Sequence, residues 1–147
     1  MGISWWRLAS FAAMMLVLVV PLLAQGNPAV GLWRNEEPDK VVMVRTYEQD
    51  GKLFGKIESA IKKAAKEDPD AKCTKCTGDN KDKPIKGLVL IYEMEKDGNR
   101  WSNGKIIDPD DGKIYKCRIT PIENGKKLEV RGSVAIFSKT QTWTRVE

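Results

Sequence analysis

From about residue 30 to its end, the chain alternates polar and apolar residues in short stretches. In one stretch Tyr115, Cys117 and Ile119 are separated by polar residues, and in another Leu128 and Val130 are separated by an acidic one. Successive side chains of a β-strand point to opposite sides, so the alternation predicts strands with one wet and one dry face. Such a division is expected of a barrel wall.

Turn dipeptides separate these stretches. Asp-Gly or Asn-Gly pairs stand at Asp50-Gly51, Asp97-Gly98, Asp111-Gly112 and Asn124-Gly125. Because these dipeptides readily adopt the positive φ that tight hairpins need, each one predicts a reversal between antiparallel strands. We expect an all-β fold of about eight strands, and closure into an up-and-down barrel hides the strand edges.

One segment departs from the strand pattern. Four apolar residues recur there at helical spacing, with lysines on the remaining faces: Ile57, Ala60, Ile61 and Ala64. This spacing predicts one short amphipathic helix that ends before Asp68-Pro69 and is followed by a loop. The insertion is the long connection of the chain, and long loops on rigid barrels often carry function.

The first residues predict an export signal. Arg7 precedes an apolar run from Leu8 to Ala24, and small residues follow it. This order predicts a cleaved secretory signal over residues 1–26, because a membrane anchor needs about 20 apolar residues and Pro21 lies near the end of a shorter run. We therefore expect a single domain, residues 27–147, in the periplasm or outside the cell, with membrane contact only through the signal.

Charge and residue types exclude several functions. The 147 residues carry a formal charge of +5, but acidic and basic residues interleave, and no basic stretch contains interspersed aromatic residues, so nucleic acid is not an expected partner. The chain has no histidine, which excludes histidine-dependent nucleophilic catalysis. Asp108, Asp110 and Asp111 lack calcium-loop spacing and predict a turn. We predict no catalytic residue, no metal and no cofactor.

The three cysteines allow several interpretations. A zinc site would need a carboxylate such as Asp79 beside Cys73, Cys76 and Cys117, and a redox motif would need a helix where turn-forming residues follow Cys76. Disulfides persist in the oxidising compartments that exported proteins enter. Since Cys117 lies on a dry face, we favour a Cys73–Cys76 bond that holds the loop in shape. A bond from either residue to Cys117, a zinc site and a redox role stay open.

Several short motifs together resemble a known family. They are "GLW" at residues 31–33, "DGKLFGKI", "KPIKGLVLIY", "GKIIDPDDGKIYKC", "KLEVRG" and "TQTWTR". In this order they resemble the bacterial family of exported proteins called domain of unknown function 2147. The resemblance implies a calycin, lipocalin-like β-barrel and brings no established activity with it.

A second likeness is to the G-x-W motif of lipocalins. In that family a basic residue of the last strand stacks over the tryptophan. The resemblance implies that Gly31 and Trp33 begin the barrel and that Arg145 closes its floor through a cation–π contact of about 0.5–2 kcal/mol.

Aromatic residues are the candidates for a ligand site. Alternation places Tyr92 on one face with Leu90 and Met94. A barrel of about eight strands has room for its own side chains or for one small ligand. Tyr92, Trp101 and Tyr115 are therefore predicted to line an apolar cup with polar tips.

Three functions follow from these observations. The first is binding of a small apolar or amphipathic ligand in the barrel. The second is an interaction module of the cell envelope, with a filled barrel and the Lys62–Gly87 insertion as its contact surface for a partner protein. The third is an enzyme of unknown reaction. A cavity of roughly 300 Å³ or more favours the first, and a solid interior with an exposed apolar patch favours the second.

Overall fold

The computed structural model describes Gly2 and residues 26–147. Residues 3–25, on which the predicted export signal rests, lie outside the described residues. Eight strands follow one another: β1 (Gly31–Glu36), β2 (Lys40–Gln49), β3 (Lys52–Lys62), β4 (Val89–Asp97), β5 (Arg100–Ile107), β6 (Ile114–Ile122), β7 (Lys127–Val134) and β8 (Phe137–Arg145). Each pairs antiparallel with the next, and β8 pairs with β1. The predicted closed up-and-down barrel is confirmed.

Helical structure in the described part of the chain is limited to two single 3-10 turns, Gly78–Asn80 and Glu123–Gly125. Among the same residues, no helix has both the length and the apolar character needed to cross a membrane.

The connections between strands divide the barrel into two ends. The open end carries the connections 37–39, 63–88, 108–113 and 135–136. The closed end carries the connections 50–51, 98–99 and 123–126, together with residues 27–30 and 146–147. The long insertion therefore lies at the open end, beside the shorter connections that surround the entrance to the barrel.

The short helix predicted around residue 60 is wrong, because β3 continues through this segment. Ile57 pairs with Val44 and Ala60 pairs with Val42, while the register shifts between these pairs. Glu58 is thus an extra residue, as in a β-bulge. The bulge breaks the two-residue alternation, so two residues three apart both face inward. That spacing imitates a helix in the sequence.

A second irregularity changes the predicted facing of Tyr92. Glu93 has a φ of 59°, and Ile91 and Met94, which flank the Tyr92-Glu93 pair, are both fully buried. Tyr92 lies opposite the exposed Lys105 in the register. The predicted shared face of Tyr92 with Met94 is therefore wrong. The reason is again a local break in the alternation of inward and outward residues, and a prediction from regular spacing cannot locate such a break.

The closed half of the barrel is packed solid. Its largest fully buried side chains are Trp33, Trp143, Leu53, Ile91, Met94, Ile119 and Leu128. The Trp33 indole Nε1 donates to Thr46 Oγ1 at 2.8 Å, and the Thr46 hydroxyl donates to the Ala29 carbonyl. The Trp33 and Thr46 side chains are thus satisfied locally, which is the usual condition for burying polar groups. The packed floor leaves the open half free for a cavity.

Candidate functional site

A cavity of about 590 Å³ enters the barrel from the open end. Much of its wall is apolar and comes from six strands, β2–β5, β7 and β8: Val42, Val44, Ile57, Ala60, Leu90, Ile106, Val130 and Trp143. Trp143 is only 1% exposed, so its indole forms part of the floor. The volume lies within the range of small-molecule sites, which are mostly apolar with a few polar groups.

Polar side chains form one side of the cavity wall, and we call Asn35, Glu37, Lys40 and Gln141 the polar line. The amide nitrogen of Asn35 donates to Glu37 Oε1 at 3.1 Å and to Gln141 Oε1 at 3.4 Å. The Trp143 indole Nε1 also donates to Gln141 Oε1, at 3.4 Å. Within the described residues, these contacts leave the Asn35 oxygen and the Gln141 nitrogen without a side-chain partner. One acceptor and one donor are therefore presented to the cavity.

Lys40 continues the polar line at the entrance. Its Nζ lies 3.6 Å from Glu37 Oε2 and forms an ion pair with Asp110. Burial acts to lower the pKa of Lys40, but the hydrogen bond to Asp110 and the charge of Glu37 outweigh it, so the pKa is raised. Lys40 stays charged and is already neutralised by two carboxylates.

Charges around the entrance are of both signs. The lining lysines are Lys40, Lys62, Lys66, Lys86 and Lys139, and the lining acidic residues are Glu37, Glu67, Asp68, Asp108 and Asp110. Because the two sets balance, the entrance carries no excess charge that would select a charged ligand.

Of the three predicted ligand residues, Tyr115 lines the cavity. Its hydroxyl donates to Asp111 Oδ2 at 2.5 Å, and this hydrogen bond raises the pKa of Tyr115 to about 12. The structure does not bring the other two to the cavity. Tyr92 is half-buried and packs against the hydrophobic core outside the cavity lining, and Trp101 is buried with its Nε1 unpartnered among the described residues.

The sequence interpretation missed the polar line. Asn35 follows Trp33 by two residues on β1, so the alternation that placed Trp33 inside also places Asn35 inside. That signal was available. The same alternation places Gln141 inside, because it precedes the buried Trp143 of β8 by two residues. Glu37 carried no such signal, because it lies in the connection after β1.

The insertion lies beside the cavity entrance. Cys73 and Cys76 form a disulfide with their Cα atoms 5.3 Å apart, and both are buried. Cys117 is a free thiol on the inner side of β6, and burial raises its pKa to about 12. A side chain on Gly112 would collide with the carbonyl of Lys75. The disulfide-bonded loop thus packs tightly against the 108–113 connection and shapes that side of the entrance.

Three residues close the opposite end as one unit. The guanidinium of Arg145 lies over the Trp33 ring, 4.2 Å from its centre. It donates to the carbonyls of Pro28, Val30, Gly125 and Glu147 at 2.5–2.9 Å. A Cβ on Gly31 would collide with the same guanidinium. The arrangement implied by the G-x-W likeness is therefore present, and Gly31 is small because Arg145 occupies its side-chain space.

The described residues contain no group of three or more His, Cys, Asp or Glu placed to hold a metal ion. With no histidine in the chain, the cavity contains no histidine base. The site is chemically suited to noncovalent binding: apolar surface on most sides, one acceptor, one donor and neutralised charges at the entrance.

Comparisons with known proteins agree with this barrel. A search of curated proteins found no match. Among solved structures, protein HP1028 from the human pathogen Helicobacter pylori, described as belonging to the lipocalin family, superposes with a TM-score of 0.68. The match covers 80% of this chain and 82% of that chain at 24% identity, so the likeness concerns the fold. A family model described as "Uncharacterized protein conserved in bacteria (DUF2147)" matches residues 31–145. The chain belongs to the DUF2147 family.

Proposed function

We propose that the protein binds one small, amphipathic and uncharged molecule in the barrel cavity. The observation that carries this proposal is the cavity of about 590 Å³ above a packed floor, with apolar walls and one polar line. Sites for small molecules generally measure about 300–1,000 Å³ and combine apolar surface with a few placed polar groups. The cavity meets both conditions.

The polar line determines which part of the ligand is polar. The Asn35 oxygen and the Gln141 nitrogen are uncharged, and Lys40 is already paired with two carboxylates. An ionised ligand group would have to disrupt these pairs or lose its hydration without compensation. A hydroxyl or an amide, which both donates and accepts, matches the two free groups. Tyr115 would contact the ligand near the entrance.

We also propose that the domain, residues 27–147, acts after export, in the periplasm or outside the cell. The Cys73–Cys76 disulfide supports this location, because such bonds persist in oxidising compartments. A barrel that holds an apolar molecule would carry it through an aqueous compartment where free apolar molecules are poorly soluble.

A binding experiment with a filled cavity tests the proposal. N-phenyl-1-naphthylamine, an uncharged apolar fluorophore, is expected to bind at one site per chain. Ala60 lines the cavity and Ser59 precedes it on β3 with the opposite facing. Ala60→Trp is expected to abolish the fluorescence increase, while Ser59→Trp retains it. Equal binding to both variants would place the probe elsewhere and contradict the proposal.

A second candidate function is contact with a partner protein of the cell envelope. It is favoured by exposed apolar residues at the open end, above all Ile136 at 91% and Phe137 at 70% exposure. Replacing both by serine would abolish capture of such a partner from the native envelope. Because Phe137 also lines the cavity, the single variant Ile136→Ser, at a residue outside the cavity lining, is the one expected to leave the fluorophore bound and so to separate the two functions.

A further inference from the structure

A group of basic residues lies on the outer wall of the barrel, away from the cavity. Lys105 of β5 is directly opposite Lys116 of β6, and Arg118 of β6 is directly opposite Arg131 of β7. All four are exposed. Lys116 and Arg118 are two residues apart on β6 and share its outer face, so the four side chains form one continuous band across three strands. We call these four residues the basic stripe.

The basic stripe is an electrostatically unfavourable arrangement. Like charges directly opposite one another on neighbouring strands destabilise a sheet. Arginines elsewhere on the surface are paired: Arg34 with Glu36, Arg45 with Glu58 and Arg100 with Asp97. In the described part of the chain, no member of the stripe forms an ion pair with an acidic side chain.

Three acidic residues lie near the stripe, and none forms an ion pair with it: Glu129, two residues from Arg131 on the outer face of β7, and Glu95 and Asp97 of β4. Glu95 accepts a hydrogen bond from Asn103 at 3.1 Å. Asp97 accepts from Arg100 Nε and from the Ser102 hydroxyl, both at 2.8 Å. The hydrogen bond from Arg100 is the main cause of the lowered pKa of Asp97, and the charge of Arg118 contributes to it. The acidic neighbours therefore compensate the stripe only in part, and its unpaired charge is open to a partner outside this chain.

The surface at the stripe is shaped as well as charged. The strand register shifts between Trp101 and Gly104, and Asn103 has a φ of 58°. A depression of about 500 Å³ lies here, and its lining includes the four basic residues and no acidic one. Ser133 adds a hydroxyl group to the same lining, whereas the Ser102 hydroxyl already donates to Asp97. Guanidinium, ammonium and hydroxyl groups are all donors, so the depression offers donors to a ligand rich in acceptors.

We propose that the basic stripe binds a molecule that carries two or more phosphate groups. A guanidinium fork matches phosphate oxygens with two parallel hydrogen bonds, and lysines add compact positive charges. The two opposed pairs are two residues apart along the strands, which is about 7 Å. This separation is wider than one phosphate group, so the two pairs together suit a molecule with more than one phosphate. The site is independent of the barrel cavity and its ligand.

Calorimetric titration with inorganic triphosphate at low ionic strength tests the site. The double variant Arg118→Gln, Arg131→Gln is expected to bind at least about tenfold more weakly, because it removes two charge-assisted bidentate contacts. The control Lys52→Gln, Lys56→Gln removes the same charge from β3 and is expected to change the affinity less than about twofold. Circular dichroism verifies that both variants fold.

Two results would overturn the proposal: absence of triphosphate binding by the unaltered protein, or equal weakening in both double variants, which indicates attraction by net charge alone. Where the site is established, vesicles of cardiolipin, a lipid with two phosphate groups, in phosphatidylcholine identify its source. If the unaltered protein sediments with these vesicles and the double variant Arg118→Gln, Arg131→Gln does not, the bound phosphates belong to a lipid headgroup. Binding of triphosphate without such sedimentation assigns a soluble phosphate compound.

Discussion

The guanidinium carbon of Arg145, in the last strand, lies 4.2 Å from the centre of the Trp33 ring in the first strand. The register between β1 and β8 consists of two residue pairs, Trp33 with Arg145 and Arg34 with Thr144. Between β7 and β8 it consists of eight. The stack and its four carbonyl contacts therefore reinforce the seam with the least backbone pairing. Burial lowers the pKa of Arg145, but an arginine stays charged at any working pH.

Arg145→Lys is expected to lower the free energy of unfolding by about 2 kcal/mol, since a lysine keeps the charge but cannot reach four carbonyls with a planar fork. Urea denaturation measures the change. Arg34→Lys, on the same seam, is the matched control, because Arg34 is exposed and bound only to Glu36. We expect a loss of less than about 0.5 kcal/mol there. Equal losses would mean that the stack does not hold the seam.

Gly31 is expected to tolerate no side chain. A Cβ at this position would collide with Arg145 Nη1 and with the Glu147 carbonyl. Gly31→Ala should therefore displace the Arg145 guanidinium and lower the free energy of unfolding by about as much as loss of that guanidinium would. At Gly132 the nearest atom to a Cβ is 3.5 Å away, which is ordinary contact. Thermal unfolding of Gly31→Ala and Gly132→Ala compares the two, and a smaller loss at Gly31 would contradict the proposed steric role.

The two tryptophans Trp33 and Trp101 differ in what their indole nitrogens bind. Trp33 Nε1 donates to Thr46, whereas the buried Trp101 Nε1 has no hydrogen-bond partner among the described residues. Replacing either with phenylalanine removes similar volume. Because an unpaired buried donor is a cost that Trp101→Phe relieves, this variant should be more stable than Trp33→Phe by about 1–3 kcal/mol. Chemical denaturation of both variants measures the difference, and the reverse order would refute the assignment.

The sequence predicted the positions of strands correctly where polar and apolar residues alternate regularly. Tyr115, Cys117 and Ile119 on β6 kept the spacing of two, and the Asp-Gly and Asn-Gly pairs marked real reversals. These features depend on neighbouring residues alone, so they can be read without the fold.

The errors occurred where one extra residue entered a strand. Glu58 shifted the facing of Ile57 and Ala60 and imitated a helix, and Glu93 turned Tyr92 away from the interior. A bulge depends on how a strand pairs with its neighbour, so the sequence of one strand alone does not predict it. The sequence did not predict the polar line of the cavity either, because this line joins Asn35 to Gln141 across 106 positions of sequence.

We expect the folded protein to have no reactive thiol. Cys73 and Cys76 are bonded, and burial raises the pKa of Cys117 to about 12, which keeps the thiol protonated and unreactive at neutral pH. Ellman's reagent should find no thiol in the native protein, one after denaturation, and three after denaturation with reduction. A disulfide-linked peptide containing Cys117, recovered from a digest of the non-reduced protein, would contradict this pairing.

Asn35 is expected to decide whether the cavity prefers a polar or an apolar ligand. Its side chain is 6% exposed and, with Gln141, presents the acceptor and donor of the cavity. Asn35→Leu removes the acceptor while roughly preserving volume, so an apolar ligand should gain and a hydroxyl-bearing ligand should lose. A net hydrogen bond contributes about 0.5–1.5 kcal/mol, which corresponds to roughly two- to tenfold in affinity.

Titrations with 1-naphthol and naphthalene measure this preference, because the two molecules differ by a single hydroxyl group. The unaltered protein is expected to favour 1-naphthol, and Asn35→Leu to favour naphthalene. Thr140→Leu is a suitable control, since Thr140 lies opposite Arg131 on the outer side of β8 and is exposed. If Asn35→Leu weakened both compounds equally, the variant would have damaged the cavity rather than its polar line, and an unchanged preference would show that Asn35 does not contact the hydroxyl.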